Sequence, residues 1–261
     1  MARLSANLGF LFTERPQLER PGAAAETDFR AVEMHYPYDV PAPAMRASLI
    51  AAGVAMLALN TPIGEGEAAF GLGAVRGREA DFQVGVDQAL GYGQAIGATA
   101  LHCMAGCVPE SESVSCEDVF VRNLPLAADK AAHAGIALLI EPINHRDRPG
   151  YALSRVEQAA SIIERTGRAN LRIMFDCYHV QIMQGDLIRR LTAHLLLIGH
   201  VQIAAVPSRA EPDEGELNAP EILRALDGIG YSGCVGAEYR PRDRTEDGLG
   251  WLEALGAART G

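Results

Sequence analysis

The chain has 261 residues, of which 33 are Asp or Glu and 23 are Lys or Arg, so its formal net charge is −10. This balance lacks the concentrated basic face that binding to a phosphate backbone needs, and we expect no nucleic-acid partner. The sequence has no run of about 18 apolar residues, the length that crosses a bilayer. A strand-like pattern begins at the N-terminus, so we expect no signal peptide. We therefore expect a soluble, cytoplasmic protein with no membrane partner.

Apolar runs predict eight strands, most of them with the continuous hydrophobic character of strands buried on both faces. These strands span residues 3–9, 31–34, 54–59, 99–104, 136–140, 171–175, 196–203 and 234–237.

Helical patterns alternate with the strands. They cover residues 16–25, 45–52, 81–96, 115–134, 154–166, 185–195, 220–229 and 245–255. Gly53 and Gly97 are expected to end the second and third helices, and Ser154 with Glu157 to begin the fifth as a capping box. Pro125 falls inside the fourth helix, where it would kink or break it.

Eight strand–helix alternations in a chain of this length predict an α/β fold, a single (β/α)₈ barrel of the TIM type. No shift in composition divides the chain, so we expect one domain over residues 1–261. A nucleotide-binding sheet is disfavoured because no Gly-x-Gly-x-x-Gly turn follows the first strand. The glycine-rich segment 64–77 is long enough to suggest a functional loop such as a lid.

The chain has an odd number of cysteines, five. Cys103 and Cys107 do not have a zinc-knuckle spacing, and no second cysteine pair completes a site. We expect all five to be reduced and mostly buried.

Oxygen-bearing side chains follow four consecutive predicted strands. Glu141, Asp176, Gln202 and Glu238 stand at or near the ends of strands five to eight. Active sites of α/β barrels lie at the carboxyl ends of the strands, so these four side chains would converge. Three carboxylates in one partly dry pocket need a compensating cation, and hard oxygen ligands favour Mg²⁺ or Mn²⁺. The alternative is four solvated side chains at loop starts, which four consecutive occurrences disfavour.

Several motifs along the whole chain carry a resemblance. They are SANL at 5–8, YPYD at 36–39, GRE at 77–79, IEPINH at 140–145, DCYH at 176–179, HVQIA at 200–204, RAEPDEGE at 209–216 and GAEY at 236–239. Together they resemble the hydroxypyruvate isomerase family, including 2-oxotetronate isomerases, within the xylose-isomerase-like TIM barrels. Some motifs are closer to one subgroup and some to the other, so the substrate stays open between three and four carbons.

The resemblance implies an intramolecular oxidoreductase that moves a proton between adjacent carbons of a hydroxy-keto acid through a cis-enediolate. Glu141 and Glu238 match the two proton-transferring glutamates of the family. By the same match, Glu141, Asp176, Gln202 and Glu238 would hold a divalent metal, Mg²⁺ or Mn²⁺, which acts as a Lewis acid. Related epimerases use His where Gln202 stands, and a neutral amide implies weaker metal binding. Self-association into a homo-oligomer is compatible with the sequence.

Four further residues are candidate substrate ligands. His179 stands where related ketose 3-epimerases contact substrate oxygens, with a structural histidine as the alternative. Arg209 is suited to gripping a carboxylate, unless it is a solvated loop residue; Arg78, with its neighbour Arg76, is a rival clamp or surface charge. His102 is either a residue that contacts the ligand or a core histidine that packs behind the predicted site. One departure from the family is Arg240, where lysine is usual.

Three other functions compete with the isomerase. A metal-dependent ketose 3-epimerase would use the same two glutamates on one carbon of a longer sugar. An endonuclease IV-like repair enzyme shares the barrel but needs several metal-binding histidines and a basic groove. A non-enzymatic sugar-acid binding protein would keep its ligand affinity and function after Glu141→Gln.

Overall fold

The computed structural model describes residues 3–64, 70–112 and 115–254. Its described part contains one parallel sheet of nine strands, in the order β3-β2-β1-β9-β8-β7-β6-β5-β4. The strands are β1 Arg3–Asn7, β2 Ala31–Glu33, β3 Ala55–Met56, β4 Ala58–Asn60, β5 Ala100–His102, β6 Ala137–Ile140, β7 Leu171–Asp176, β8 Ile198–Ile203 and β9 Cys234–Ala237.

The two ends of this sheet meet at Leu57, the residue between β3 and β4. Its N–H donates to the carbonyl of Val32 at 2.8 Å, and its own carbonyl accepts from the N–H groups of Thr99 and Ala100 at 3.0 and 2.8 Å. A parallel barrel is therefore confirmed. The expected count of eight strands is not found as such, because the predicted strand 54–59 is interrupted at Leu57 and appears as two short strands.

Nine α-helices in the described segments surround the sheet or cover its ends. They are α1 Arg20–Glu26, α2 Ala42–Ala52, α3 Glu79–Ile96, α4 Cys116–His133, α5 Val156–Thr166, α6 Cys177–Met183, α7 Leu187–His194, α8 Ala219–Ile229 and α9 Trp251–Ala254. Gly53 and Gly97 end α2 and α3 in the left-handed conformation, as predicted. Pro125 lies inside a helix that is not broken there. No helix among the described residues is both long and apolar enough to traverse a bilayer.

Three helix predictions were wrong in detail. The helix expected from Pro16 begins at Arg20, with Pro21 in its first turn. The predicted capping box is absent from the described contacts of α5: Gln158 accepts from the Ser154 N–H, and Glu157 pairs with Arg190 instead. The helix predicted at 245–255 is a 3₁₀ turn over Thr245–Gly248 followed by α9, with 255 outside the described residues.

Apolar side chains fill the space between the barrel and its helices. Phe12, Phe29, Phe120 and Phe175 are fully buried there or within the barrel wall. All five cysteines lie in described segments and are free thiols, as expected, three buried and two partly buried. Many of the buried polar side chains lie near the carboxyl ends of the strands, which is where a functional site is expected.

Candidate active site

One cavity of about 350 Å³ opens at the carboxyl ends of the strands. Residues at or shortly after almost every strand end line it: Phe10, His35, Asn60, His102, Met104, Glu141, His179, Arg209 and Glu238. The parallel topology explains this convergence, since all strands run towards the same mouth.

The four predicted ligand residues lie at this mouth. Glu141 directly follows β6, Asp176 ends β7, and Glu238 directly follows β9. Gln202 in β8 is paired in register with Asp176 and with Gly236. All four side chains are buried, at 6, 0, 2 and 6% exposure for Glu141, Asp176, Gln202 and Glu238. The sequence rule that placed them at strand ends thus predicted their common location.

Asp176 is held by the direct junction of β7 and α6. As the N-cap of α6 it accepts the Tyr178 N–H through Oδ1 at 2.8 Å. The other carboxylate oxygen, Oδ2, lies 3.5 Å from Nε2 of His179, which is one helical turn further along the chain. Ligand atoms of Glu141, Asp176 and His179 all lie within 4.8 Å of one another, a grouping that could hold a metal ion.

The carboxylates of this cluster are electrostatically strained in the absence of a cation. Burial, followed by the charges of Glu238 and Asp176, raises the pKa of Glu141 well above its ordinary value. Burial raises the pKa of Asp176 to about 7, although the charge of Arg209 opposes the shift. A bound divalent cation would relieve both effects, because it stabilises the ionised form of each acid.

Two buried oxygen atoms without a hydrogen-bond partner in the described part of the chain also favour a cation-binding site. Gln202 Oε1 and Glu238 Oε2 are buried and have no hydrogen-bond partner among the described residues. Such atoms are rare in folded proteins because an unpaired buried acceptor costs about 1–3 kcal/mol. Carboxylate and amide oxygens are the ligands that Mg²⁺ and Mn²⁺ prefer, so the residues present suit a hard divalent metal.

Arg209 is buried in the cavity wall, and the alternative of a solvated loop arginine is therefore wrong. Its Nη2 lies 3.2 Å from Asp176 Oδ2 and 3.4 Å from Glu238 Oε1. The guanidinium also stacks over the ring of Tyr178 at 4.6 Å. Arg209 thus supplies positive charge directly to the acidic cluster, while it also lines the space where a ligand would lie.

His179 and His102 both line the cavity as neutral imidazoles. Burial, with Arg209 as the next cause, lowers the pKa of His179 well below its ordinary value, and burial lowers that of His102 to about 3. His179 Nε2 lies 2.8 Å from Arg209 Nη1, and its Nδ1 lies 2.6 Å from Asn144 Nδ2. His102 Nδ1 is 3.5 Å from Glu141 Oε2. Their geometry suits contact with a ligand or with Glu141, and their roles stay predictions.

The structure does not bring Arg78 to the cavity. Its Nε pairs with Asp81 at the start of α3, on the surface, and Arg76 donates to Ser115. Neither is among the described residues that line the cavity. The segment 64–77 that contains Arg76 is described only in part, and Gly71 forms a bridge with Ala105 next to the site.

Sequence reasoning missed several cavity residues. His35 Nε2 lies 2.9 Å from Glu238 Oε1, and Phe10 packs edge-on against His35. Arg148 stacks on Phe70 at 4.0 Å. Arg240, already noted as a departure from the family, lies over Phe10 at 5.4 Å. His35 and Phe10 follow β2 and β1 closely, so applying the strand-end rule to those strands would have found them. Arg148 sits well after β6, and its sequence position carries no comparable signal.

A parallel barrel with an acidic, metal-compatible cluster at the carboxyl ends of its strands defines a class, the TIM barrels with a polar active-site mouth. Within that class, the profile of the xylose isomerase-like TIM barrel family matches residues 21–255. The chain belongs to this family.

Full-length relatives narrow the comparison. The chain is 45% identical to a 2-oxo-tetronate isomerase of Cupriavidus necator, over 97% of this chain and 98% of the relative. It is 38% identical to a hydroxypyruvate isomerase of Escherichia coli, over 97% of this chain and 99% of the relative.

Solved structures have the same fold. A Brucella melitensis protein described as an AP endonuclease of family 2 superposes with a TM-score of 0.94 at 42% identity, covering 97% of this chain and 99% of that one. An L-ribulose 3-epimerase gives a TM-score of 0.72 at 18% identity, covering 99% and 91%. Identity that low shows a shared fold and nothing about the reaction.

Proposed function

We propose that this chain is an isomerase of small hydroxy-keto acids, interconverting hydroxypyruvate and tartronate semialdehyde or the corresponding 2-oxo- and 3-oxotetronates. One observation carries the proposal: Glu141 and Glu238 line one cavity and follow strands on either side of β7, which carries Asp176, while Arg209 contacts both Asp176 and Glu238. Two acids so placed are what transfer of a proton between adjacent carbons requires. The full-length relatives named as isomerases of such acids support it.

In the proposed reaction, one glutamate removes a proton from the carbon that bears the hydroxyl group. The resulting enediolate takes a proton on the former carbonyl carbon from the other glutamate, and the hydroxyl proton passes to the former carbonyl oxygen. Glu141 suits the exchange of protons because its pKa is raised. Glu238 is oriented by His35, whose Nε2 lies 2.9 Å from Oε1.

We propose Glu141, Asp176, Gln202 and Glu238 as the residues that would hold Mg²⁺ or Mn²⁺. When bound, the metal would supply Lewis-acid stabilisation of negative charge on substrate oxygens. Support comes from the buried, unpartnered oxygens of Gln202 and Glu238 and from the acidic cluster around Asp176. His179, His102 and Arg209 would contact the substrate, since they line the same cavity.

Two exposed arginines at the cavity add a candidate site for the substrate carboxylate. Arg240 and Arg148 line the cavity and have no ion-pair partner in the described segments. Each is stacked on an aromatic ring, which restricts the guanidinium before a ligand binds. If Arg240 binds the carboxylate, Arg240→Ala raises KM by about tenfold or more and changes kcat little, whereas Arg224→Ala on α8 changes neither.

The experiment that tests the function is an assay of hydroxypyruvate and of 2-oxotetronates side by side, with EDTA and then with added Mg²⁺ or Mn²⁺. We expect turnover of at least one substrate, lost in EDTA and restored by metal. Failure of both substrates under every metal condition would refute the reaction. The same assay decides between a three- and a four-carbon substrate.

The ketose 3-epimerase remains the second candidate, supported by the shared fold alone. Proton NMR in deuterated water separates the two reactions. An isomerase moves the carbonyl group and leaves deuterium on the former carbonyl carbon. An epimerase leaves the carbonyl in place and inverts the neighbouring carbon.

For the molecule as a whole, we propose one (β/α)₈ domain over residues 1–261, with β3 and β4 counting as one interrupted strand. The protein would act in the cytoplasm and bind a small hydroxy-keto acid. It would bind neither nucleic acid nor a membrane. The net charge of −10 supports the exclusion of nucleic acid. Sedimentation of the purified protein will decide whether it is a homo-oligomer.

A further inference from the structure

A second buried polar cluster lies inside the barrel beside the acidic site. It consists of Ser5, Glu33, His200 and Gln202, all with exposures of 5% or less. Glu33 is at its centre. Its Oε1 accepts from Ser5 Oγ at 3.0 Å, its Oε2 accepts from Gln202 Nε2 at 2.7 Å, and His200 Nε2 lies 3.1 Å from both oxygens.

Glu33 reaches Gln202 across two intervening strands. It belongs to β2 and Gln202 to β8, with β1 and β9 between them in the sheet. Small residues occupy the crossing, since Ser5 and Gly236 are paired in register there. A Cβ atom on Gly236 would lie 2.2 Å from Glu33 Oε1 and 2.9 Å from Gln202 Cγ. Glycine at position 236 therefore leaves the space that the contact between Glu33 and Gln202 needs.

The contact decides which way the Gln202 amide faces. The two ends of an amide have nearly the same shape, and only their hydrogen bonds distinguish them. Glu33 is surrounded by three donor side chains, so its carboxylate acts as an acceptor and takes the NH₂ end of Gln202. The carbonyl oxygen, Oε1, must then point away from Glu33, and it is the buried oxygen that lacks a partner among the described residues.

We infer that Glu33 is a positioning residue that fixes the amide of Gln202 with its carbonyl oxygen presented to the divalent metal. This inference rests on the metal site of the proposed function. Partners in the outer shell of metal sites commonly set ligand orientation, and their loss weakens metal binding roughly 10- to 100-fold.

The test measures Mn²⁺ binding to the metal-free full-length protein by electron paramagnetic resonance of the free ion. In Glu33→Gln, the new amide can donate to Gln202 Oε1 and turn the NH₂ group into the site. We expect the Kd for Mn²⁺ to rise roughly 10- to 100-fold. The metal-free protein should also unfold at a lower temperature, because the variant removes the carboxylate that pairs with buried His200. Ser5→Ala, which removes one bond to Glu33 but keeps Gln202 paired, should bind Mn²⁺ within a few-fold of wild type.

A double variant makes the test independent of simple structural damage. In E33Q/Q202E, the amide introduced at position 33 donates to the carboxylate introduced at position 202, whose other oxygen faces the site. We expect Mn²⁺ affinity at or above that of wild type, even if E33Q alone is unstable. Wild-type affinity in E33Q, or affinity in the double variant as weak as in a Q202A variant, would overturn the role of Glu33.

The outcome also separates this inference from the proposed function. Wild-type protein that binds no Mn²⁺ would refute the metal site, and the role of Glu33 with it. Wild-type protein that binds Mn²⁺ and isomerises hydroxy-keto acids, with E33Q equally competent in both, would refute the role of Glu33 alone.

Discussion

Glu141 is a buried acid close to Asp176, with ligand atoms of the two within 4.8 Å, and its neighbours determine what a substitution there does. Its carboxylate lies near His102 and His179, at 3.5 and 3.7 Å, and it lines the cavity. Substitution by Gln retains the side-chain volume and removes the charge that both proposed roles of Glu141 need, proton transfer and metal binding.

We therefore expect Glu141→Gln to lower kcat by about 10²- to 10⁴-fold or more, the range for loss of a general acid–base group. The protein should fold, because the amide relieves repulsion with Glu238 and Asp176. Steady-state assays on the substrate identified for the wild type will measure this. Glu164→Gln, an exposed position on α5, is the matched control and should retain full activity. Activity of Glu141→Gln within tenfold of wild type would contradict the role of Glu141 and point to another base.

Asp176 gives a pH dependence whose sign follows from its pKa. Burial raises that pKa from 3.8 to about 7 in the metal-free fold, so the folded state holds a proton that the unfolded chain releases near pH 4. The stabilisation is complete below about pH 4 and is lost as the pH rises through about 7.

Urea unfolding in EDTA at pH 5 and pH 8 will measure this loss. We expect the free energy of unfolding of the wild type to fall over this interval by a few kcal/mol, on the order of 1.4 kcal/mol per pKa unit. Asp176→Asn keeps the cap on Tyr178 and should show a smaller fall. Equal falls in the two proteins would mean that Asp176 is ionised in the metal-free fold at both pH values.

The loop after β4 contributes Ile63 and Phe70 to the lining of the cavity. Gly71, at φ +104°, bridges to Ala105, and a Cβ atom there would lie 2.4 Å from Met104 Cβ and 2.5 Å from the Met104 carbonyl oxygen. The residue therefore needs both the backbone freedom and the small size of glycine.

Gly71→Ala should force this loop away from Met104, which follows β5, and destabilise the protein by about 1–3 kcal/mol. Because Phe70 and Met104 line the cavity, KM should rise as well. Gly91→Ala is a matched control in α3, where a Cβ atom meets nothing within 4 Å. It should be neutral or stabilising by up to about 1 kcal/mol. Thermal unfolding of both variants decides the matter, and equal stabilities would contradict a packing role for Gly71.

Elements with a strong local signal were predictable from sequence, and those set by tertiary contacts were not. Apolar runs predicted the buried strands. The positions of Glu141, Asp176, Gln202 and Glu238 at or near strand ends predicted that these four side chains lie close together. The helix α6 was missed because it follows β7 without a loop. The Ser154–Glu157 box failed because Arg190, distant in sequence, competes for Glu157. The contacts of Glu33 were not predictable from sequence, since its partners come from β1 and β8.

At the scale of the molecule, metal binding should be visible as stability. A metal that binds the folded barrel and not the unfolded chain adds about 2.7 kcal/mol at a concentration 100 times its Kd. Calorimetry with and without millimolar Mn²⁺ should show a higher Tm in wild type and a smaller rise in Asp176→Asn. NaCl at the same ionic strength controls for non-specific effects of salt on a chain of net charge −10. An unchanged Tm would count against a metal site of useful affinity.

The uninterrupted passage from β7 into α6 has a practical consequence for redesign. Asp176 and His179 cannot be separated by inserting or deleting loop residues, since the backbone between them is the junction of a strand and a helix. Efforts to alter the compounds that this scaffold accepts will therefore succeed first at Phe10, Phe70 and Arg148, which extend from connecting segments. A library confined to those three positions would vary the shape of the entrance and, at Arg148, the charge offered to a substrate carboxylate, while the buried acids stay in place.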